Sequence, residues 1–273
     1  MLYVLQKDMK IKIPPYPNLK ITKKAISDVE KRSVKKNNSS DLSNQLVMIV
    51  KFQNGEERVI RSRPVRHLNN LYVSAFPNPI HLFLSVAIEH FNQSEEIKQI
   101  NFPKCGKNIG DDIYILDIEE NGTHECYNHY IKYRSSSIVM LVASLEAFLN
   151  HIIPNDYKYK TQRTRDGISK EVVFSKKKIE SGNVSFNEKL DTLIPKMLKR
   201  ESFWDDLQSE KISIKNLYSN RKNIIHLKTN AEDDLTAYFD TIDEMLELDI
   251  RDCILSSISF MNKVQDKFIE YQK

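Results

Sequence analysis

The segment from Ile138 to Ile152 restricts the fold more than any other part of the chain. Its apolar residues recur three and four positions apart over four turns, which is the period of one helix face. They are Ile138, Leu141, Val142, Leu145, Phe148, Leu149 and Ile152. Because Pro154 cannot continue a helix, the pattern predicts a core helix that begins near Tyr130 and ends before the proline. Glu146, one turn from Asn150, either lines a site or faces water, and we favour water.

Three further helical patterns follow in the second half of the chain. Ser185 and Glu188 form a capping box ahead of a short helix, which we expect Pro195 to stop. A second helix is predicted over residues 217–228. The last pattern is a near-heptad stripe that serves either the bundle core or a partner helix. Its members are Ile250, Ile254, Ile258, Met261, Val264, Phe268 and Ile269. The acidic stretch 240–249 between these two helices is expected to be exposed surface.

β patterns dominate the first part of the chain. The runs 46–52 and 57–63 flank Asn54 and Gly55, and this pair readily adopts the positive φ angles of a tight turn. They predict a β-hairpin. Another strand, ended by a turn, is expected from Asp111 onward.

One helix is expected among these strands. Asn78 can cap it and Pro79 suits its first turn. Its apolar stripe consists of Ile80, Phe83, Ala87, Ile88 and Phe91. The predicted fold is therefore α+β. A mixed α/β module of unknown role occupies residues 1–127, and a helical domain occupies residues 128–273.

The bulk composition is that of a soluble globular protein. Of the 273 residues, 40% are hydrophobic and 29% are charged, and no apolar run approaches the length of about 20 residues needed to cross a bilayer. The first residues lack the apolar run and cleavage site of a secretory signal. Only three cysteines are present, an odd number, which is typical of a reducing compartment. We therefore expect a cytoplasmic protein with no membrane partner.

A metal site was considered around Cys105, His124, Cys126 and His129. These are legal zinc ligands. However, structural zinc sites usually present paired ligands at both ends, and Cys105 stands alone. We prefer the interpretation that these are scattered polar residues around a strand end, and we expect no metal ligands.

Residues 155–184 interrupt the helical half and carry a concentrated positive charge. The sequence around Asp166 and Gly167 predicts a β-hairpin insertion. The segment between Lys158 and Lys178 holds eight cations and two carboxylates, a local charge of +6, whereas the whole chain carries +4. The cations are Lys158, Lys160, Arg163, Arg165, Lys170, Lys176, Lys177 and Lys178.

Two interpretations of this hairpin remain open. With Tyr157, Tyr159 and Phe174 among the cations, it could follow a phosphate backbone and stack its rings on bases. Alternatively, it is a soluble ribbon whose edge lysines prevent aggregation. Under the first interpretation, the nucleic-acid-binding residues are Lys158, Lys160, Arg163, Arg165, Lys176, Lys177, Lys178 and, outside the hairpin, Lys222.

The helix predicted over residues 217–228 carries the groups with the most reactive chemistry. At about 100° per residue, Arg221 falls on the apolar side with Ile224 and Ile225, and His226 lies about 140° away from it. A guanidinium among core-facing positions requires an anion or a hydrogen-bond acceptor. Both groups can reach one ligand only if Arg221 extends outward or if a second copy of the helix crosses the first.

The stretch LYSNRKNIIHLK, with its flanking helices in this order, resembles the signature helix of the HEPN superfamily (higher eukaryotes and prokaryotes nucleotide-binding). Ribonucleases of that superfamily carry Arg-x4–6-His with a polar residue beside the arginine. Arg221 and His226 match this spacing, and Lys222 and Asn223 are the polar neighbours. The resemblance covers roughly residues 130–273. It implies a four-helix bundle and a homodimer through the signature helix, with Arg and His of both subunits in one cleft.

The resemblance also implies a function. HEPN ribonucleases cut RNA without a metal and leave a 2′,3′-cyclic phosphate and a 5′-hydroxyl. RNA supplies its own nucleophile, so His226 would act as general acid/base, Arg221 would hold the phosphate, and Asn223 would orient the histidine or the substrate. No cofactor is expected. Such enzymes act as toxins or host-defence effectors, with the first module as sensor, antitoxin contact or substrate selector.

A second function stays open. Arg221 and His226 could be a satisfied polar pair in a non-catalytic HEPN-like module that binds nucleic acid or protein in a defence or toxin–antitoxin system.

Overall fold

The computed structural model describes residues 10–16, 18–19, 46–51, 57–62, 65–67, 70–72, 76–101, 106–111, 113–116, 123–165, 167–226 and 236–271. The chain divides into two compact units. One comprises Met1–Ile11 and Phe83–Lys273, and the other comprises Lys12–Leu82. Strands and helices are both present, so the chain is α+β as predicted. The unit that holds the helices already begins at Phe83, within a helix that the sequence had assigned to the first module.

The smaller unit is built from short antiparallel strands. These are β1 (Pro15–Tyr16), β2 (Asn18–Leu19), β3 (Leu46–Lys51), β4 (Glu57–Ser62), β5 (Val65–His67), β6 (Asn70–Tyr72) and β7 (Phe76–Pro77). β1 pairs with β7, β5 pairs with β6, and β4 lies between β2 and β3. The pairing of β3 with β4 confirms the predicted hairpin, and its Asn54-Gly55 turn lies outside the described residues.

Helix α1 (Pro79–Asn101) begins as its sequence predicts. The Asn78 side chain caps it, because Oδ1 accepts the Ile80 N–H at 3.0 Å. Its buried side chains include Leu84, Ala87, Ile88 and Phe91. The hairpin of β8 (Lys107–Gly110) and β9 (Ile113–Ile115) follows and contains the predicted strand after Asp111.

Helix α2 (Thr123–His151) is the core helix of the larger unit. Ile138, Leu141, Val142, Leu145, Phe148 and Leu149 are fully buried, which confirms the predicted stripe. The helix starts seven residues before Tyr130, so the expected boundary at residues 127–128 falls inside it. Two bonds join it to α1: His90 Nδ1 contacts Ser136 Oγ at 2.7 Å, and Ser137 Oγ donates to the Ala87 carbonyl at 2.7 Å.

The predicted insertion is a regular hairpin of β10 (Lys158–Arg165) and β11 (Ile168–Ser175). Its register pairs Lys158 with Ser175 and Tyr159 with Phe174. Because side chains alternate across a strand, Tyr159 and Phe174 share one face, and both are buried. The Lys158 and Lys160 side chains share the opposite, exposed face.

Helix α3 (residues 186–198) consists of Phe186–Glu188, a π-helical turn over Lys189–Leu193 and a last turn over Ile194–Leu198. The Ser185 cap is confirmed, since its Oγ accepts the Glu188 N–H at 3.2 Å. The expectation that Pro195 stops the helix was wrong. In the π register the missing Pro195 N–H would have bonded the Leu190 carbonyl, and Trp204 Nε1 donates to that carbonyl instead, at 3.0 Å.

A short helical segment over residues 176–183 follows β11, and a 3-10 turn, Asp205–Leu207, follows α3. Three longer helices complete the described part of the larger unit. They are α4 (Gln208–Ile225), α5 (Thr236–Glu247) and α6 (Ile250–Val264). Helix α4 packs against α2, α5 and α6, and α2 also packs against α5 and α6. The acidic side chains of α5 are exposed as predicted, although Thr241 and Met245 between them are buried. Within the described ranges, no helix has the length and apolar content to span a bilayer.

Helix α6 is shorter than its sequence predicts. It ends at Val264, and Lys267 adopts a left-handed conformation with φ of 53° that a helix cannot continue. The chain then folds back, because Asn262 Oδ1 accepts the Ile269 N–H at 2.8 Å. Ile269 is buried and Phe268 packs on Phe148 at 5.0 Å between ring centroids. Phe268 and Ile269, the last residues of the predicted stripe, therefore pack into the core although they lie beyond the end of the helix.

Candidate functional site

The last turns of α4 carry the residues with candidate catalytic chemistry. Ile214 and Leu217 are fully buried and fix the orientation of the helix. The helix ends at Ile225, so the predicted extension through residue 228 was wrong as far as the structure describes it. His226 lies just past the helix, with φ of −104° and ψ of 31°, and its N–H still bonds the Lys222 carbonyl at 3.0 Å. Its side chain is exposed.

Arg221 faces a carboxylate on α2. Its Nη2 lies 3.9 Å from Glu146 Oε2, and the two side chains are 25% and 40% exposed. This separation is too long for a hydrogen bond. The anion required for a guanidinium at this position is thus present in the same chain, and Glu146 lines the site, contrary to the preferred expectation that it only faces water.

Asn223 also faces a carboxylate. Its Nδ2 donates to Glu244 Oε2 on α5 at 2.7 Å. Lys222 between them is exposed. Among the described residues, no contact joins His226 to Arg221 or to Asn223, so the single chain does not bring the three predicted catalytic side chains onto one atom.

A buried lysine binds Asn150, one turn from Glu146 on α2. Lys189 on α3 is 8% exposed, and its Nζ donates to Asn150 Oδ1 at 2.8 Å. Burial lowers the pKa of Lys189, while the nearby carboxylates of Glu146 and Glu180 oppose that shift. Glu146 therefore has two cations near it, Arg221 and Lys189.

The sequence does not identify Asn150, Lys189 or Glu244 as members of this site, and it offers Glu146 only as the less favoured of two alternatives. One signal was present: Lys189 lies three residues after Phe186 and four before Leu193, so it occupies the buried side of α3. A lysine on an apolar stripe is expected to have a partner. The partner itself depends on how α2 and α3 pack, which the spacing does not reveal.

The structure divides the predicted nucleic-acid-binding residues of the hairpin into two groups. Arg163 is engaged by Glu188, with Nη2 2.5 Å from Oε2, and it lies over the Phe174 ring at 5.5 Å. Lys176 donates to the Ile153 carbonyl at 2.6 Å. The cations whose side chains are exposed are Lys158, Lys160, Lys177, Lys178 and, on α4, Lys222. The side chain of Arg165 lies outside the described residues.

Two of the three rings expected to stack on bases, Tyr159 and Phe174, are buried, and Tyr157 is half-buried. Tyr159 is 1% exposed and donates its hydroxyl to Glu188 Oε1 at 3.1 Å, and Phe174 is 8% exposed. Burial raises the pKa of Tyr159, as expected for a phenol held inside the protein. One face of this hairpin therefore packs on the helices. The other face is exposed and presents lysines without aromatic side chains beside them.

The residues considered as zinc ligands lie on α2 and not around a strand end. His124, Cys126 and His129 occupy its first two turns, where His124 and Cys126 differ by about 200° in direction. The His124 ring contacts Asn128 Nδ2 at 3.3 Å. Cys105 lies outside the described residues.

Comparisons of the chain with models of known protein families, with characterised proteins and with solved structures found no match.

Proposed function

We propose that the protein is a metal-independent HEPN-type endoribonuclease that leaves a 2′,3′-cyclic phosphate and a 5′-hydroxyl. The observation that carries this proposal is the end of α4. There, within six residues, an arginine without a hydrogen bond to any described residue is followed by an exposed histidine. Helices α4, α2 and α6 pack on one another with α5, which supports a four-helix arrangement, although the resemblance implies α3 and not α5 as the fourth helix.

The reaction needs only groups that are present at this helix end and in RNA. The 2′-hydroxyl attacks the neighbouring phosphorus, a bond to O2′ forms, and the bond to O5′ breaks. His226 takes the proton from the 2′-hydroxyl, and a protonated imidazole returns one to O5′ as it leaves. Arg221 stabilises the extra negative charge on the phosphoryl oxygens with its planar fork of donors. Asn223, released from Glu244, orients the substrate.

A homodimer would bring two copies of these groups together. Arg221 and His226 of one chain point about 140° apart around the helix axis, so a twofold crossing of two α4 helices is the arrangement that places both kinds of group around one phosphate. Exposed apolar side chains support this contact. Ile225 is 46% exposed at the end of α4, and Phe239 is 57% exposed in the first turn of α5.

The exposed lysines of the hairpin give RNA a second contact. Lys158 and Lys160 share one solvent face of β10, and Lys177 and Lys178 lie two and three residues past the end of β11. Together with Lys222 they form a sequence-independent phosphate contact, which is expected to weaken steeply with salt. Because Tyr159 and Phe174 are buried, neither of these two rings can stack on bases in this contact.

The alternative function is a non-catalytic HEPN-like module that binds nucleic acid or protein. A specific observation favours it: Arg221 faces Glu146 and Asn223 is bonded to Glu244, so two of the three polar groups already have partners in the same chain. Under either function, we propose a role in host defence or as a toxin, with an antitoxin or regulatory partner contacting the unit Lys12–Leu82.

The test is cleavage of total cellular RNA by the purified protein in EDTA. We expect the wild type to cut, and His226→Ala to lose cutting while its circular dichroism spectrum is unchanged. His129→Ala is the matched control, since His129 is an exposed histidine on α2 away from α4. Absence of cleavage by the wild type on every RNA tested would favour the binding module.

A further inference from the structure

Three helices place charged side chains around Glu146. Glu146 and Asn150 lie one turn apart on α2 and therefore on the same face. Lys189 of α3 donates to Asn150 at 2.8 Å, and Arg221 of α4 lies across from Glu146 at 3.9 Å. Both cations therefore lie near a single carboxylate, Arg221 facing it and Lys189 held by Asn150 one turn away.

The contact between Arg221 and Glu146 is loose. At 3.9 Å it has no hydrogen bond, and both side chains are reached by solvent, so water and salt screen their attraction. A phosphodiester offers the guanidinium two oxygens in the planar geometry that a guanidinium prefers. A phosphate can therefore replace Glu146 at Arg221 without breaking a strong bond.

Glu146 does not depend on Arg221 for its neutralisation. The ammonium of Lys189, buried and held by Asn150, remains close enough to interact with the Glu146 carboxylate. When Arg221 moves to another anion, Glu146 keeps a neighbouring cation. The exchange therefore leaves neither side chain with an isolated charge.

We propose that Glu146 is an internal competitor that occupies Arg221 until a phosphodiester of single-stranded RNA displaces it. This inference rests on the proposed function, because it names the regulation of the same site. The carboxylate lowers affinity for RNA, because a phosphodiester must displace it from Arg221.

The test measures binding of a fluorescent, 2′-O-methylated single-stranded RNA, which cannot be cleaved, by fluorescence anisotropy at low salt. The variants are Glu146→Gln, Arg221→Gln and the double variant, with Glu89→Gln as control. Glu89 is an exposed carboxylate on α1, so the control makes the same change of charge away from the cluster. A separate cleavage assay on unmodified RNA tests the enzyme itself.

We expect Glu146→Gln to tighten binding by roughly fivefold, and the gain to disappear in the Arg221→Gln background. Glu89→Gln should leave binding unchanged. If the gain persists without Arg221, or if Glu146→Gln binds no better than the wild type, Glu146 is not a competitor for Arg221. An Arg221-dependent gain in a protein that cuts no RNA would support the competitor and overturn the ribonuclease. Cleavage that needs His226, combined with unchanged binding by Glu146→Gln, would support the ribonuclease and overturn the competitor.

Discussion

Asn223 Nδ2 donates a hydrogen bond of 2.7 Å to Glu244 Oε2, and this bond fastens the last turn of α4 to α5. Asn223→Asp would place two carboxylates against each other at this contact. We expect the free energy of unfolding to fall by about 1 kcal/mol, because a hydrogen bond to a charged group is lost and replaced by repulsion. Urea denaturation followed by the fluorescence of the single tryptophan, Trp204, measures the change.

The double variant Asn223→Asp with Glu244→Gln is the control. It reverses the direction of the same hydrogen bond, since the glutamine amide can donate to the new aspartate. Most of the lost stability should return. A double variant as unstable as Asn223→Asp alone would show that the bond to Glu244 does not stabilise the fold.

Arg134 forms hydrogen bonds with carbonyl groups at the C-terminal end of α5. Its side chain is buried, and Nη2 donates to the carbonyl oxygens of Met245, Leu246 and Leu248 at 3.0, 3.2 and 2.7 Å. Arg134→Met leaves these C-terminal carbonyls of α5 without their partner, so we expect a loss of about 3 kcal/mol. Arg200→Met, at an exposed arginine, should change stability by less than about 0.5 kcal/mol. Equal effects of the two substitutions on urea denaturation would contradict this role.

Asp191 joins α3 to α4 and gives stability a dependence on pH. Burial raises the pKa of Asp191, but hydrogen bonds from Lys215 and Lys211 outweigh it and hold the pKa below its usual value. The folded pKa is lower than the unfolded one, so the contribution is complete above the usual value of 3.8 and disappears as pH falls through the folded pKa.

We expect Asp191→Asn to cost about 1 kcal/mol at pH 7, because the carboxylate is partly exposed to solvent. The difference from the wild type should stay constant down to about pH 5 and shrink below pH 4, roughly, in urea denaturation at each pH. Asp156→Asn, at an exposed loop carboxylate, should show no such dependence. A stability difference between the wild type and Asp191→Asn that grows as pH falls would contradict a lowered pKa of Asp191 in the folded protein.

The proposed dimer contact makes a prediction for exposed apolar residues. Phe239→Glu puts a charge into that contact, and we expect the dimer to dissociate in sedimentation equilibrium and cleavage to fall by roughly tenfold or more. Ile113→Glu is a close match, since Ile113 is 56% exposed and Phe239 57%, and Ile113 lies on the β8–β9 hairpin. A monomeric wild type with full activity would contradict the dimer.

Elements with their own local pattern could be predicted from the sequence. The stripe of α2, the Asn78 cap of α1 and the presence of the two hairpins each depend on spacing within a short segment. The C-terminal ends of α3, α4 and α6 could not. Helix α3 continues past Pro195 because a π-helical turn changes the bonding register and Trp204 supplies the missing donor. That donor lies nine residues further along the chain.

The candidate site, too, could be predicted from the sequence only in part. Arg221 and His226 were found from their spacing, and the need of Arg221 for an anion followed from its place on the helix. Which anion it meets depends on the packing of α2 on α4. Likewise Glu188 follows a capping-box spacing, yet its carboxylate binds Arg163 and Tyr159 from the hairpin.

The most direct measurement is cleavage, in EDTA, of a short RNA cut by the wild type, compared with the same RNA carrying a single 2′-deoxynucleotide at the cut. If His226 and Arg221 use the 2′-hydroxyl as nucleophile, the unmodified RNA yields a 2′,3′-cyclic phosphate and a 5′-hydroxyl, and the modified position resists cutting. Cutting at the 2′-deoxynucleotide, or products that end in a 3′-hydroxyl and a 5′-phosphate, would contradict the account.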